Sequence, residues 1–236
     1  MGHKTIQRWW IGIAVLLLLQ GPSISHAGTQ VFTGKAYNEQ EGLEYIERHT
    51  ITYDEDGVVS SRTTYFDPDE RVIGSLVSEY APLPQFCGYT CVDLRKQYLD
   101  GVQLEPDRIC MFRKTEPDAE TETVCLPRED TQIIGQGFHH FIVTHLGAIE
   151  KGEVYHVKLA LPSRMDQVRF RIRKRRIEGG HIWIRLEVDN WVLRLFAPHI
   201  DVIYERGTGH LLRYEGISNI ADASGECKPV RIEYAY

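Results

Sequence analysis

Histidines supply the first group of side chains whose types and spacing could do chemistry. His139, His140 and His145 fall within one short segment. Metal ligands on one face of a helix lie three or four positions apart, and these pairs lie one, five and six apart. The sequence also contains no H-E-x-x-H and no Cys-x-x-Cys motif. We therefore expect no metal and no cofactor, and we expect His139 and His140 to be exposed polar residues.

A basic strand is the second group. Arg169, Arg171 and Arg173 alternate with Phe170 and Ile172, so a strand would place three guanidinium groups on one face. Such a row could bind phosphate or sulfate groups, for example those of lipid head groups. The interpretation that we favour is a solvated face paired with acidic neighbours, which are abundant in residues 39–79.

Catalytic motifs are missing from the sequence. No Gly-x-Ser-x-Gly elbow occurs, Ser218 falls at the end of a predicted strand, and no glycine-rich phosphate loop is present. Acidic residues are plentiful, but no spacing pairs any two of them. We therefore predict a non-enzymatic protein without catalytic residues. The alternative, an envelope hydrolase, would require a concave site on which acids or histidines converge.

Five cysteines are present: Cys87, Cys91, Cys110, Cys125 and Cys227. Cys110 and Cys125 are equidistant from Pro117-Asp118, so a symmetric hairpin would place them opposite each other within disulfide reach. We predict this disulfide, with a four-residue loop favoured over a two-residue one because Pro117 cannot adopt a positive φ. Cys87 and Cys91 could pair locally, or one of them could pair with Cys227, and one thiol stays unpaired in either scheme.

The N-terminal residues 1–27 have the pattern of a cleavable signal peptide. Lys4 and Arg8 precede an apolar run from Trp9 to Leu19, which is shorter than the roughly 20 residues that span a bilayer. Ser25-His26-Ala27 offers small residues at the two positions that a signal peptidase recognises, so we expect cleavage before Gly28. An uncleaved membrane anchor is the alternative. We predict a periplasmic or secreted protein with no transmembrane segment after cleavage.

Composition limits what the predicted mature chain can be. The 236-residue sequence has 27 basic and 33 acidic residues, and removal of Lys4 and Arg8 changes the net charge from −6 to −8. This balance argues against nucleic-acid binding. A hydrophobic content of 42 % argues against disorder. Residues 28–236 are long enough for one β-rich domain with a sizeable core.

Alternating apolar and polar residues, punctuated by turn residues, predict a mainly β fold with a curled antiparallel sheet, either a half-barrel or barrel-like, with a sandwich as the alternative. Residues 86–130 are less regular, with a C-G-Y-T-C loop, a short strand and the cysteine-bounded hairpin. The remaining predicted strands are Leu43–Tyr53, Val58–Phe66, Arg71–Tyr80, Glu153–Leu161, Gln167–Ile177, His181–Asp189, Trp191–Phe196, Ile200–Glu205, His210–Ile217 and Val230–Tyr234.

One segment has helical periodicity. Between Phe138 and Glu150 the apolar residues fall on one stripe of an amphipathic helix, and Gly152 follows as a C-cap. We expect this helix to cover the sheet above a groove. The ligand-binding residues predicted there are Phe138, Phe141 and Ile142, with Arg169, Arg171 and Arg173 as a second candidate contact.

The second half of the chain resembles known exported proteins. The segments that carry the resemblance are Gly135-Gln136-Gly137-Phe138, the hairpin from Tyr204 to Gly216, and Ser218-Asn219-Ile220. They are similar to uncharacterised families of exported Gram-negative β-rich proteins and, more weakly, to periplasmic half-barrel domains of the lipoprotein-carrier type. This resemblance implies a curled antiparallel sheet with a helical lid over an apolar groove.

The sequence thus predicts a non-enzymatic periplasmic module that binds an apolar or amphipathic ligand, such as a lipid, or an envelope protein. A groove beneath the helix is its main requirement, so an interior filled by its own side chains would remove the basis for this prediction. Besides the hydrolase, the alternative is an assembly factor that contacts anionic lipid through the basic strand.

Overall fold

The computed structural model describes residues 27–192, 194 and 198–236, and the predicted signal peptide therefore lies almost entirely outside the described residues. The described residues form fifteen strands, one α-helix and a 3₁₀ turn at Pro162–Arg164. The strands and helix are β1 (Gly28–Tyr37), β2 (Leu43–Asp54), β3 (Gly57–Phe66), β4 (Val72–Tyr80), β5 (Cys87–Asp93), β6 (Tyr98–Leu104), β7 (Arg108–Lys114), β8 (Glu122–Pro127), β9 (Gln132–Ile134), α1 (Gly137–Lys151), β10 (Tyr155–Leu161), β11 (Asp166–Glu178), β12 (His181–Val188), β13 (Ile200–Glu205), β14 (Leu211–Ile217) and β15 (Pro229–Ala235).

All fifteen strands belong to one sheet. Its order runs from β8 back to β1, crosses to β15, and continues back to β9. Neighbouring strands are antiparallel except for β9 and β10, which are parallel and are connected through α1. The predicted mainly β fold, with a curled antiparallel sheet and one covering helix, is confirmed.

The curl brings the two ends of the sheet together without closing a barrel. Arg113 on β7 donates a hydrogen bond from Nη1 to the backbone oxygen of Ser163, 2.8 Å away. Six buried side chains from both ends pack into one cluster: Phe86, Val102, Ile109, Met111, Ile134 and Ala160. Side-chain packing, rather than a continuous hydrogen-bond ladder, therefore joins β6 and β7 to β9 and β10.

The helix forms where its periodicity predicts. Gly152 ends it in the left-handed region at φ 104°, and its N–H bonds the carbonyls of Ala148 and Ile149. Ile142, Leu146 and Ile149 are buried against apolar residues of β10 to β14. Each such side chain contributes roughly 1.5–3 kcal/mol by leaving water, which fixes the helix on the concave face of the sheet.

Two predicted elements are wrong. The C-G-Y-T-C segment is not a loop but strand β5, which pairs with β4 and β6. Its central residues Tyr89 and Thr90 favour extended structure, and Gly101 on β6 allows the close approach, since a Cβ there would lie 2.1 Å from the Tyr89 carbonyl oxygen. The described residues of the predicted strand Trp191–Phe196 lie in a turn, and 193, 195 and 196 are outside the described residues. Strands β1 and β9 were not predicted.

The predicted disulfide is confirmed. Cys110 and Cys125 face each other across β7 and β8 and form a disulfide bond. The hairpin loop is longer than predicted, because the last residue pair before it is Arg113 with Glu122. A disulfide of this kind is typical of a protein outside the cytoplasm.

The other two predicted cysteine pairings do not form. Cys87, Cys91 and Cys227 are all free thiols. Cys87 and Cys91 lie four residues apart in extended β5, which separates their Cα atoms by about 13 Å, beyond the roughly 7 Å limit of a disulfide.

None of the described helices has the length and apolarity that crossing a lipid bilayer requires.

Candidate functional site

A partly open cleft of about 90 Å³ lies between the concave face of the sheet and the first turn of α1. The helix contributes Gln136, Phe138, His139 and His140 to its wall. The sheet contributes six aromatic side chains, which are Phe32, Tyr65, Tyr80, Tyr214, Tyr234 and Tyr236. The interior is therefore not completely filled by its own side chains, which is the condition that the predicted groove had to meet.

Strand β2 carries the polar part of the cleft. Its inward-facing residues are Tyr45, Glu47, His49 and Ile51, because side chains alternate between the two faces of a strand. Glu47 and His49 thus interrupt an otherwise apolar row, and Glu47 is only 3 % exposed. Sequence analysis missed both residues. The sequence contained one signal that could have identified them. A carboxylate and an imidazole occupy positions on the buried side of an alternating strand, where unpaired polar groups are unfavourable.

Glu47 is held by two donors. His49 Nε2 lies 2.8 Å from Glu47 Oε2, and the Tyr234 hydroxyl donates to the same oxygen at 3.1 Å. Gly34 on β1 makes room for the Tyr234 ring, since a Cβ at this position would lie 2.8 Å from Tyr234 Cε1. A glycine on β1 therefore lets a tyrosine of β15 reach the carboxylate on β2.

Gln136 joins the helix to the sheet at the base of the cleft. Its Nε2 donates to Thr63 Oγ1 at 3.0 Å. Its Oε1 accepts hydrogen bonds from Ser61 at 2.5 Å and from Ser78 at 3.2 Å. One side chain therefore ties the first turn of α1 to β3 and β4.

The same network positions the imidazole of His49. Thr63 Oγ1, which accepts the Gln136 N–H, lies 2.9 Å from His49 Nδ1. His49 Nε2 donates to Glu47 Oε2. The imidazole is therefore held between the Thr63 hydroxyl and the Glu47 carboxylate, and it orients the carboxylate.

His139 and His140 are neutral at neutral pH. Burial lowers the pKa of His139 to about 3, with smaller contributions from the neighbouring histidines, and burial lowers the pKa of His140 to about 4. Both residues are half-buried and line the cleft, with His139 stacked on Tyr204. The expectation that they are exposed is wrong, because the helix places them over the aromatic rings of the sheet.

Aromatic rings extend from the network toward solvent. Phe32 stacks on His49 with ring centroids 4.5 Å apart and an interplanar angle of 4°. Tyr236 stacks on the Phe32 ring at 4.6 Å, and His210 stacks on Tyr236 at 3.9 Å. One end of the cleft is therefore a wall of flat, polarisable faces suited to an apolar or cationic group.

Glu47, His49 and Thr63 form an acid–imidazole–hydroxyl chain, the order found in hydrolase triads. Thr63 is 0 % exposed, does not line the cleft, and accepts a hydrogen bond from Gln136. Its hydroxyl therefore has no access to a substrate carbonyl, and the chain positions the Glu47 carboxylate.

The predicted ligand-binding residues of the helix fall in different places. Phe138 lines the cleft. Phe141 packs on His145 and Tyr155 outside it. Ile142 is 0 % exposed in the core beneath the helix. The apolar stripe therefore holds the helix in place, and only its first residue reaches the cleft.

The predicted basic row is largely paired. Arg171 and Arg173 both hydrogen-bond Glu187 on the adjacent strand β12. Burial alone would raise the pKa of Glu187, but the hydrogen bonds from Arg173 and Arg171 lower it. Arg169 is exposed and forms no ion pair with any described residue. The pairing of these arginines with an acidic residue agrees with the interpretation that we favoured from the sequence. The acid lies on β12, however, and not in residues 39–79.

Glu105, Cys110 and Cys125 form the one group of three metal-ligating side chains that lie close together within the described chain. The two sulfurs are joined in the disulfide, so neither is a thiolate that could bind a metal.

Comparisons with known proteins give similarity of fold. A β-barrel-like protein of DUF1849, a domain of unknown function, from Brucella abortus aligns over 88 % of this chain and 94 % of its own, with a TM-score of 0.50 and 9 % identity. A putative outer membrane lipoprotein-sorting protein domain from Vibrio parahaemolyticus aligns over 88 % and 83 % at 9 % identity, with a TM-score of 0.26 that is too low to indicate a common fold.

No family model and no curated protein matches the sequence. The expected weak similarity to uncharacterised β-rich proteins is confirmed at the level of fold by the DUF1849 protein.

Proposed function

We propose that this protein is a non-enzymatic, periplasmic or secreted binding module that takes up an apolar or amphipathic molecule in the cleft. The observation that carries this proposal is the aromatic wall of the cleft between α1 and the sheet, together with a few polar groups at its base. Ligand sites typically combine a mostly apolar concave surface with a small number of fixed polar groups. The polar base would hold the ligand's head, and the rings would hold its chain.

Two phenylalanines on the same helix provide the test. Phe138 lines the cleft, whereas Phe141 packs outside it. Fluorescence titration with the neutral apolar dye N-phenyl-1-naphthylamine should give saturable binding to the purified protein. Phe138→Ala should weaken that binding about tenfold, since about 1–2 kcal/mol of ring contact is lost.

Phe141→Ala is the matched control and should leave dye affinity unchanged. Absence of saturable binding, or equal loss in both variants, would reject the cleft as the binding site. Native mass spectrometry of the protein purified from its own envelope would show which molecule accompanies it.

A hydrolase is the second candidate because Glu47, His49 and Thr63 follow the order of a hydrolase triad, although the Thr63 hydroxyl is buried away from the cleft and would have to become accessible. Steady turnover of p-nitrophenyl butyrate that disappears in Thr63→Val, but not in Ser78→Ala, would establish this activity. Such a result would overturn the non-enzymatic proposal.

A further inference from the structure

The cleft has one acidic side chain and no basic one among its described lining residues apart from histidine. Glu47 is the acid, no lysine or arginine lines the cleft, and burial keeps His139 and His140 neutral. A lone carboxylate at 3 % exposure is unfavourable unless something compensates for its lost hydration.

The protein supplies only part of that compensation. Glu47 Oε2 accepts both hydrogen bonds, from His49 and Tyr234, and Oε1 accepts none from any described residue. The negative charge also raises the pKa of the buried Tyr65 and Tyr234 hydroxyls, in addition to the larger effect of their burial.

The start of α1 does not donate to Glu47. Backbone groups of Gln136 and Gly137 lie beside the Cys87 sulfur on β5 and lower its pKa against the larger effect of burial, whereas both donors to the carboxylate are side chains. The first turn of the helix therefore adds side chains to the cleft without a compensating amide contact to its charge.

The rings around Glu47 suit a cation. Phe32 and Tyr234 pack edge to face with centroids 6.0 Å apart, and Phe138 and Tyr214 line the same cleft. Aromatic faces beside a carboxylate are the usual surroundings of an ammonium or quaternary ammonium group in a protein.

We propose that the cleft selects amphipathic molecules with a cationic head, an amine or a quaternary ammonium, which Glu47 and the surrounding rings bind while the apolar chain lies along the aromatic wall. This inference rests on the proposed binding function and specifies its ligand class.

Three probes of equal chain length test the inference. Dodecyltrimethylammonium, dodecanol and dodecyl sulfate, each below its micellar concentration, would compete with N-phenyl-1-naphthylamine for the purified protein. We expect the cation to bind about tenfold or more tightly than the anion, with the alcohol between them.

Glu47→Gln retains the acceptor for His49 and Tyr234 and should reduce the preference to less than about threefold, without loss of dye binding. Glu79→Gln removes an exposed charge on β4 that is not in the cleft, and it should change nothing.

Two failures are distinguishable. Equal binding of the cation and the anion to the wild-type protein, with dye binding intact, would overturn only the choice of a cationic ligand. If Glu47→Gln still bound the cation more tightly than the anion, the inference of a cationic ligand held by Glu47 would also be overturned. No dye binding at all would overturn the proposed binding function together with this inference.

Discussion

Replacement of Gln136 by leucine should detach the start of the helix from the sheet. The substitution keeps most of the side-chain volume and removes the hydrogen bonds to Thr63, Ser61 and Ser78. Three such bonds contribute about 1 kcal/mol each, and burial of the leucine offsets part of the loss. We therefore expect a net loss of about 2–3 kcal/mol in the free energy of unfolding, or about 4–12 °C in Tm for a chain of this size.

Urea denaturation followed by tryptophan fluorescence measures this loss. The matched control is Gln103→Leu on β6, because Gln103 is exposed and forms no side-chain hydrogen bond with a described residue, so its effect should stay within about 0.5 kcal/mol. A double-mutant cycle of Gln136→Leu with Ser78→Ala should give a coupling of about 1 kcal/mol. A loss below about 0.5 kcal/mol, with no coupling, would refute the role of Gln136 as the tether.

Three further predictions concern titration and sulfur chemistry. Burial raises the pKa of Asp100 from 3.8 to about 6, so the folded state binds the proton more strongly than the unfolded state. The free energy of unfolding should therefore fall as the pH rises from about 4 to 6. Asp100→Asn should add about 1–3 kcal/mol to the free energy of unfolding at pH 7, measured by urea denaturation. Replacing Cys110 and Cys125 together by serine should cost about 2–3 kcal/mol, given their separation of 15 residues, and should make Tm insensitive to dithiothreitol. Maleimide should label Cys227 first in the native protein, because Cys227 is exposed. Cys87 and Cys91 of β5 should react only after denaturation, because both are buried and burial raises the pKa of their thiols. Mass spectrometry of the labelled protein counts the modified cysteines.

Local patterns predicted the elements whose residues are close in sequence. The apolar stripe from Phe138 to Ile149 predicted helix α1. The symmetric spacing of the cysteines about Pro117-Asp118 predicted the disulfide between β7 and β8. Both depend on periodicity or on hairpin symmetry, which a single segment contains. Strand β5 was missed because Gly88 and its two cysteines resemble a loop, and only the neighbouring strands β4 and β6 make it a central strand.

The candidate site could not be predicted as a whole. Glu47 and Gln136 come from distant parts of the chain, and only the curl of the sheet and the placement of α1 bring them into one network with Thr63. The register of β1 with β15 then determines that Tyr234 lies opposite Gly34 and reaches the carboxylate. Phe138 was predicted because the helix stripe alone indicated it.

The strand order has a consequence for when the cleft comes into existence. Strands β1 and β15 are neighbours in the middle of the sheet, although every other neighbouring pair of the described strands is adjacent in sequence. The cleft straddles that junction, with Phe32 on one side and Ile232 and Tyr234 on the other. Each half of the sheet can form during synthesis by pairing of strands that are adjacent in sequence. The aromatic wall of the cleft is completed only when β15 pairs with β1, which is a slow, non-local step. The proposed ligand uptake would thus be restricted to polypeptides that have finished folding, and proteolytic removal of β15 would abolish it.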